Sequence, residues 1–221
     1  EAFGAEINNK YTGTFGMMSS FSFYYSHHLT TIEGGMILTN SKKIYELLLS
    51  LRSHGWTRHK ISKGTSPFNK FKKGFEFILP GYNLRPMELS GALGVIQLKK
   101  AKKMLKIRRE NADYFIKTFS KNKNFLIQKE IGNSSWFNFS LIIKNKKKFP
   151  INKLINTLYK KKVDCRRIIA GDFMSQKYSK YFKINKYSNY NSKLIHNYGF
   201  MVGNYDKDLK KQIEYLGRIL N

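Results

Sequence analysis

Residues 22–35 read Ser22-Phe23-Tyr24-Tyr25-Ser26-His27-His28-Leu29-Thr30-Thr31-Ile32-Glu33-Gly34-Gly35. This segment joins two apolar runs, residues 20–25 and 34–39, that are predicted to be short, buried strands. Two adjacent histidines lie between them. An imidazole takes up and releases protons near neutral pH, which makes the pair a candidate for acid–base chemistry. Without further context, such a pair is more often packed at the end of a strand than reactive.

Helical periodicity and turn residues outline the rest of the first half. Ser41 is predicted to cap a helix that extends to about Ser53, with Gly55 following as a stop. Residues 56–78 are predicted to be a loop-rich, basic stretch. Pro86 suits the first turn of a long helix that continues to about residue 120.

The second half has its own pattern of strands and helices. We predict strands at Ser135–Ile143, Val163–Ile169 and Gly199–Gly203, and helices at 151–162 and 206–220. Strands followed by helices in both halves indicate an α/β or α+β architecture. The boundary between two domains is expected inside the long helix.

The charge of the chain is strongly positive, with 41 Lys and Arg against 14 Asp and Glu and a formal net charge of +27. The charge is spread along the whole chain and comes mostly from lysine, alongside abundant asparagine, as an AT-rich coding bias would also produce. We therefore interpret most of this charge as solvated side chains on the surface. The functional alternative is an electrostatic field that attracts a nucleotide diphosphate-sugar. A basic nucleic-acid-binding module is the remote alternative, because the aromatic residues lie in apolar strands rather than between basic residues.

Cysteine content and apolar runs exclude several classes of protein. Cys165 is the one cysteine, so a disulfide within the chain and a cysteine-ligated metal or iron–sulfur cluster are excluded. The sequence has neither an apolar run long enough for a membrane span nor a signal peptide, and a cytoplasmic protein without a membrane partner is expected. The chain begins at Glu1 in mid-pattern, which predicts a fragment or an N-terminal truncation.

Five segments, in order and with compatible spacing, carry a resemblance that runs through the whole chain: Glu1-Ala-Phe-Gly-Ala-Glu6, Tyr11-Thr-Gly-Thr-Phe-Gly16, residues 22–35, Leu51-Arg-Ser-His-Gly-Trp-Thr-Arg58 and Leu79-Pro-Gly-Tyr-Asn-Leu-Arg-Pro86. The chain resembles the DegT/DnrJ/EryC1/StrS sugar aminotransferase-like family of fold-type I pyridoxal phosphate (PLP) enzymes. The resemblance implies an α/β fold in two parts. Residues 1–105 would be the C-terminal portion of the PLP-binding large domain, and residues 106–221 the small α+β C-terminal domain.

The same resemblance gives His27 its expected role. In most of the family, the fifth residue after the phosphate-binding serine is a lysine that holds the cofactor covalently. Counting from Ser22, that place falls on His27, which cannot form such a bond. The likeness is greatest to the branch of 3-dehydratases, in which this histidine is the lone acid/base. If the serine spacing is read one residue differently, His28 takes this role instead.

The expected activity is that of a lyase, a PLP/PMP-dependent nucleotide-sugar 3-dehydratase. Its substrate would be a nucleotide-linked 4-keto-6-deoxyhexose, GDP-4-keto-6-deoxymannose, with L-glutamate as the amino donor of pyridoxamine phosphate (PMP). The product would be a 4-keto-3,6-dideoxy sugar for a surface polysaccharide such as an O-antigen. A catalytically divergent or inactive member of the family is the alternative.

The resemblance also assigns residues around the cofactor and the substrate. Ser22, Asn83 and Glu1 are implied to bind PLP or PMP, and Asn83 to reach the cofactor phosphate of a neighbouring subunit, which requires a homodimer. Arg58, Arg85 and Trp56 are the candidates for binding the sugar nucleotide, because a guanidinium suits a diphosphate. Each of these residues also has an ordinary alternative as a turn residue, surface charge or core aromatic. The sequence assigns no roles to Arg166, Arg167 and Asp172, and it fixes neither the nucleotide nor the sugar epimer.

Overall fold

The computed structural model describes residues 1–61, 64–182 and 189–221. In chain order the strands and helices are β1 (Glu6–Ile7), β2 (Lys10–Tyr11), β3 (Met18–Ser22), β4 (Gly35–Thr39), α1 (Lys42–Leu51), α2 (Pro67–Lys73), α3 (Glu88–Phe119), β5 (Phe125–Ile127), β6 (Asn138–Ile143), α4 (Ile151–Lys160), α5 (Tyr190–Tyr198), β7 (Gly199–Gly203) and α6 (Lys210–Leu220). Short 3₁₀ turns cover Arg58–Lys60, Phe173–Ser175 and Lys177–Tyr181.

The chain divides into two compact units. The first contains Glu1 and residues 9–101, and the second contains residues 2–8 and 102–221. The division falls inside α3, four residues before the end of the predicted first domain at 105. The short N-terminal segment 2–8 belongs to the second unit, where the Arg109 guanidinium donates to the carbonyl of Gly4 at 2.8 Å. The assignment of the two halves as large and small cofactor domains stays a prediction.

The hairpin of β3 and β4 forms the start of the first unit. The two strands pair antiparallel, from Met18 opposite Thr39 to Ser22 opposite Gly35. Both predicted strands exist, although the first was predicted at residues 20–25 and ends at Ser22, so that residues 23–25 belong to the loop. The prediction that the strands are buried is wrong, since Met36 and Ile37 are 44% and 48% exposed. Within the described residues these strands make a two-stranded sheet, which is too small to bury both of its faces.

Helix α1 begins as predicted, with the Ser41 hydroxyl accepting a hydrogen bond from the Ile44 amide at 3.4 Å. It ends at Leu51, two residues earlier than expected. The stretch 56–78 was predicted to be loop-rich and basic, and within it the structure has a helix that was not predicted, α2, capped by the hydroxyl of Ser66. The many lysines of this helix hide its apolar period, although a serine before Pro67 is a helix-start signal.

The long helix α3 is confirmed and has 32 residues, which corresponds to about 48 Å. Its second part belongs to the core of the second unit. There Phe115 stacks on Phe139 of β6, with ring centroids 4.4 Å apart and planes at 10°. Such aromatic pairs add about 0.5–1.5 kcal/mol beyond the burial of their area.

The sheet of the second unit is antiparallel, in the order β5-β6-β7. Strand β6 alternates as the sequence predicted, with Phe139, Leu141 and Ile143 almost fully buried. The predicted start at Ser135 is too early, because Trp136 adopts a φ of +45° that interrupts an extended chain. Helices α4 and α6 contribute Leu154, Leu158, Ile213, Leu216 and Leu220 to the same core.

The region after α4 differs from its prediction. Val163–Ile169 forms an isolated bridge between Arg166 and Met201 rather than a strand. Left-handed φ angles of +47° at Ile169 and +68° at Gly171 turn the chain away from the sheet. Helix α5, which follows, was not predicted; it ends directly at β7, whose bounds match the expected Gly199–Gly203.

A cluster of buried polar groups connects α3 to the segment after β7. The Asn204 amide nitrogen donates to the carbonyls of Arg108 and Trp136, at 3.0 and 2.9 Å, and its oxygen accepts from Asn111 at 3.1 Å. The Arg108 guanidinium donates to the Asn204 carbonyl at 2.9 Å. Burial lowers the pKa of Arg108, because it disfavours the charged form. Main-chain carbonyls solvate this cation in place of water.

Among the described residues, no helix has both the length and the apolar character needed to cross a membrane.

Candidate active site

The loop between β3 and β4 is a compact structure that presents His27. The Phe23 amide donates to the Gly34 carbonyl at 2.9 Å, and the Thr31 amide donates to the Phe23 carbonyl at 3.0 Å. These bonds extend the hairpin beyond the strands. Inside the loop, the His27 amide donates to the Tyr24 carbonyl at 3.0 Å and so closes a tight turn. The imidazole is therefore carried on a backbone that is fixed by hydrogen bonds at several points.

The His27 ring lies between a carbonyl oxygen and a carboxylate. Nδ1 is 3.3 Å from the main-chain oxygen of Ser22, and Nε2 is 3.6 Å from Oε1 of Glu1. A carbonyl oxygen only accepts, so the neutral ring carries its proton on Nδ1. Nε2 then carries the lone pair of the neutral ring and faces the Glu1 carboxylate. The side chain is 17% exposed, which leaves it accessible to a bound molecule.

The neighbouring histidine has a different environment. His28 is 7% exposed and lies beside the buried Leu29. Proton exchange with a bound molecule requires an accessible nitrogen, so the burial of His28 favours His27 as the acid–base group.

Ser22 ends strand β3 and is exposed. Its hydroxyl oxygen lies 3.4 Å from the Tyr24 amide, from which it accepts a long hydrogen bond. The hydroxyl hydrogen can therefore donate to an anion. Glu1, Ser22 and His27 thus lie together, as a shared site would require.

Tyr24 is a residue of this loop that the sequence did not single out. Its ring meets the His27 ring edge-on, with centroids 5.8 Å apart and planes at 74°. Desolvation and a hydrogen bond with Tyr25 raise the pKa of Tyr24, so its hydroxyl stays protonated. In the sequence, the available signal was that Tyr24 precedes His27 by three residues. This spacing indicates a contact between the two rings only when the residues are known to form a tight turn.

The fourth and fifth sequence segments, predicted separately, form one structure. The amide of His54 donates to the Tyr82 carbonyl at 2.8 Å, and the amide of Tyr82 donates to the Leu51 carbonyl at 2.7 Å. Gly55 has a φ of +82°, and a Cβ there would overlap the main-chain oxygen of Leu79. This close approach explains why glycine is required in the His-Gly-Trp-Thr-Arg run. We name the paired segments 51–58 and 77–84 the double loop.

Trp56 and Arg58 are the side chains that the first segment of the double loop presents. The indole Nε1 donates to the Gly74 carbonyl at 2.6 Å, and the indole lies nearly parallel to the rings of Phe75 and Phe77. The Arg58 guanidinium lies 5.2 Å from the indole centroid, within cation–π distance. Trp56 is therefore held as a support, and Arg58 is the member of the pair that can hydrogen-bond an anion.

Asn83 and Arg85 are on the second segment of the double loop and just after it, and both are exposed. Asn83 forms a main-chain bridge with Ser53, while its amide side chain is at the surface. The structure thus brings Glu1, Ser22 and His27 together in one group and Trp56 and Arg58 in another. The roles expected for all of these residues stay predictions.

No group of three or more His, Cys, Asp or Glu side chains able to hold a metal ion occurs within residues 1–61, 64–182 and 189–221.

Comparison with known proteins gives consistent matches in sequence and structure. The model of the DegT/DnrJ/EryC1/StrS aminotransferase family matches residues 1–216. GDP-4-keto-6-deoxy-D-mannose 3-dehydratase of Escherichia coli O55:H7 is 42% identical over 226 aligned residues, which cover 100% of this chain and 58% of that relative. The chain thus spans somewhat more than half the length of this relative.

Two solved structures of GDP-4-keto-6-deoxymannose-3-dehydratase match 99% of this chain and 58% of theirs, each at 41% identity. One is a mutant with bound GDP-perosamine and has a TM-score of 0.92. The other contains a trapped PLP–glutamate geminal diamine and has a TM-score of 0.93.

Proposed function

Because the chain belongs to the DegT/DnrJ/EryC1/StrS aminotransferase family, we propose that its protein is a PLP/PMP-dependent 3-dehydratase. The fold is the predicted α/β fold of the fold-type I PLP enzymes. The substrate that we propose is GDP-4-keto-6-deoxymannose, which is the substrate in the name of the E. coli relative. The product would be the 4-keto-3,6-dideoxy sugar, made for a surface polysaccharide.

The observation that carries this proposal is the environment of His27. A partly exposed imidazole stands on the turn after β3, where the resemblance predicts a lysine in most of the family. Its Nε2 faces the carboxylate of Glu1 at 3.6 Å, and its Nδ1 is held by the Ser22 carbonyl. This arrangement suits a group that exchanges protons without holding a cofactor covalently.

The residues present fit PLP and PMP in their chemistry. The exposed Ser22 hydroxyl at the end of a strand can donate to a phosphate oxygen, and the amide of Asn83 is a second donor at the surface. When bound, PMP supplies an amine that condenses with the C4 ketone and a ring that accepts electrons. The solved relative with a PLP–glutamate adduct supports L-glutamate as the source of that amine.

We assign two proton transfers to His27. Nε2 first takes a proton at the cofactor carbon that bears the amine. The same imidazole, now protonated, then gives a proton to the C3 hydroxyl as it leaves the sugar. One group can serve both steps, because an imidazole that has taken a proton as a base can return it as an acid.

For the substrate, Arg58 is the residue that we expect to contact the diphosphate. Trp56 holds its guanidinium from one side, so less conformational freedom is lost on binding. Arg85 is proposed as a further contact to the same anion. Asn83 is proposed to act in trans on the cofactor phosphate of a second subunit, which makes the homodimer the active form.

The test uses the complete gene product with PLP, L-glutamate and GDP-4-keto-6-deoxymannose. We expect ammonia and the dideoxy product in equal amounts. His27→Asn should lower kcat by about 10²–10⁴-fold while cofactor binding persists, and the exposed His59→Asn should leave kcat within twofold. Turnover of His27→Asn at the wild-type rate would refute the assignment.

Borohydride gives an independent readout. It should not fix the cofactor to the resting wild-type protein, because no lysine holds it. His27→Lys should become covalently labelled under the same conditions, as seen by mass spectrometry. Absence of labelling in that variant would mean that position 27 does not face the cofactor.

A further inference from the structure

The position of the Glu1 carboxylate beside His27 depends on the main chain that carries it. The Glu1 side chain is 39% exposed, and its Oε1 lies 3.6 Å from Nε2 of His27. An exposed side chain with rotatable bonds keeps such a position only when its backbone is fixed, because the loss of rotamer freedom opposes the contact. The peptide bond after Glu1 leads directly into segment 2–8. What holds this segment therefore decides where the carboxylate can reach.

Residues 2–5 form a turn that packs on helix α3. The Ala5 amide donates to the Ala2 carbonyl at 3.0 Å, which closes the turn. Gly4 has a φ of +76°, and a Cβ there would overlap the side chain of Leu105. A glycine is therefore needed for this close approach to the helix. The turn begins one residue after Glu1, so a shift of the turn shifts the carboxylate.

Arg109 joins this turn to a second segment of main chain. Its Nη2 donates to the Gly4 carbonyl at 2.8 Å, and its Nε donates to the Ser134 carbonyl at 3.1 Å. The planar guanidinium holds these two donors in a fixed relation, which the single rotatable ammonium of a lysine does not. Arg109 thus fixes the distance between the turn and the chain before Trp136.

The other end of the segment is fixed by main-chain pairing. The Glu6 amide donates to the Asn133 carbonyl at 2.9 Å, and the Asn133 amide donates to the Glu6 carbonyl at 2.8 Å. Gly132 permits this pairing, because a Cβ at its φ of +78° would overlap the Glu6 carbonyl oxygen. Residues 4–6 are therefore anchored twice, and two residues separate them from Glu1.

We propose that Arg109 is a positioning residue, which holds the turn 2–5 so that the Glu1 carboxylate faces Nε2 of His27. When Nε2 gains a hydrogen in the proton transfers proposed above, the carboxylate is the acceptor that keeps the ring in place. Arg109 acts through the main chain of Gly4 and not by contact with the imidazole. The proposal rests on the function proposed for His27 and adds to it a residue that the sequence did not single out.

The first test measures kcat and KM of the complete gene product in the dehydratase assay. Arg109→Gln should lower kcat about 10-fold or more, since displacing a group of the site by about 1 Å can cost as much as 10²-fold, while KM should change by less than about twofold. Arg218→Gln makes the same chemical change at an exposed position of α6 and should leave both constants within about twofold. A wild-type kcat for Arg109→Gln would overturn the proposal.

A double variant separates positioning from a general loss of structure. Glu1→Ala removes the carboxylate and leaves the turn in place. In that background Arg109→Gln should change kcat by less than about twofold, because the contact through which it acts is already lost. An equal loss of kcat in both backgrounds would show that Arg109 acts elsewhere, and the proposal would be wrong.

Gly132→Ala disturbs the segment from its other end without changing the charge. The added Cβ would displace Glu6, so kcat should fall severalfold. Gly203→Ala is the matched control, since nothing lies within 4 Å of its added Cβ, and it should leave kcat within about twofold. The same kcat for the two glycine variants would contradict the proposal.

NMR gives a readout that does not depend on turnover. In the 221-residue chain with ¹³C-labelled histidine, the signals of the His27 ring should shift in Glu1→Ala and in the same direction in Arg109→Gln, while those of the exposed His59 stay in place. An unmoved His27 signal in Arg109→Gln would refute the positioning of Glu1. If the signal moves but the wild-type protein does not dehydrate the sugar nucleotide, the proposed function fails and the hold of Arg109 on Glu1 is upheld.

Discussion

Asn204→Ala is the substitution that most directly tests the packing of the second unit. Asn204 is 5% exposed, and its side chain makes three hydrogen bonds, to the carbonyls of Arg108 and Trp136 and to the amide of Asn111. Alanine removes all three without adding bulk. The change therefore isolates the contribution of one buried amide to stability.

The size of the effect follows from what each partner keeps. Three lost hydrogen bonds cost about 1 kcal/mol each. Asn111 still donates to the carbonyls of Tyr205 and Lys207. The Trp136 carbonyl keeps the Arg108 guanidinium at 3.5 Å, which is a poor hydrogen bond and leaves it nearly unsatisfied. We therefore expect a loss of about 3–4 kcal/mol in the free energy of unfolding.

Urea unfolding followed by fluorescence measures this loss. Trp136 is 2% exposed and belongs to the second unit, so a Trp56→Phe background makes it the only reporter. With a slope of about 2 kcal/mol/M, the midpoint should fall by roughly 1.5–2 M. Asn156→Ala makes the same chemical change on the exposed face of α4 and should be neutral or slightly stabilising. A loss below about 1 kcal/mol for Asn204→Ala would refute the reasoning, because three buried bonds cannot cost so little.

Three other predictions address single residues. Gly55→Ala should destabilise the first unit by about 3 kcal/mol or more, since the added Cβ would overlap a backbone carbonyl at a φ of +82°. Gly91→Ala is the control: no atom lies within 4 Å of its added Cβ, so it should stabilise α3 by about 0.5–1 kcal/mol. Similar urea midpoints for the two variants would contradict the predicted overlap at Gly55. Burial raises the pKa of the Cys165 thiol, so iodoacetamide at pH 8 should label it severalfold more slowly in the folded chain than in urea; equal rates would count against it. The hydrogen bond from Ser175 lowers the pKa of Asp172 in the folded chain. The ionised carboxylate therefore contributes its full stabilisation above about pH 3.9, the ordinary pKa of the unfolded chain, and this stabilisation is lost as the pH falls through the lower pKa of the folded chain. Ser175→Ala should therefore lower the urea midpoint more at pH 6 than at pH 2, and a pH-independent decrease would disprove the link.

Local patterns predicted the regular elements well wherever one residue type sets the boundary. Ser41 caps α1 as expected, and the alternation in β6 places Phe139 in the core. The failures lie where a left-handed residue breaks the pattern. Trp136 and Ile169 both adopt positive φ, which neither an aromatic nor a β-branched residue signals in a sequence.

The family resemblance named the residues of the candidate site, and their roles stay predictions, but the sequence did not indicate how they are arranged. The family pattern counted from Ser22 selected His27, whereas the contact of Glu1 with its Nε2 joins residues 26 positions apart in the chain. The pairing of the segments around Gly55 and Tyr82 was equally hidden. Main-chain hydrogen bonds join them, and these leave no trace in the identity of side chains.

The double loop has a consequence for how substrate preference can change. Main-chain hydrogen bonds join its two segments, and glycines permit the segments to approach closely. Its folding therefore depends little on the side chains that it presents at the surface. Arg58, for which we propose a contact to the diphosphate, can then be exchanged while its scaffold persists. A library randomised at Arg58, with the glycines kept, would test the proposed recognition of the sugar nucleotide without disrupting the double loop.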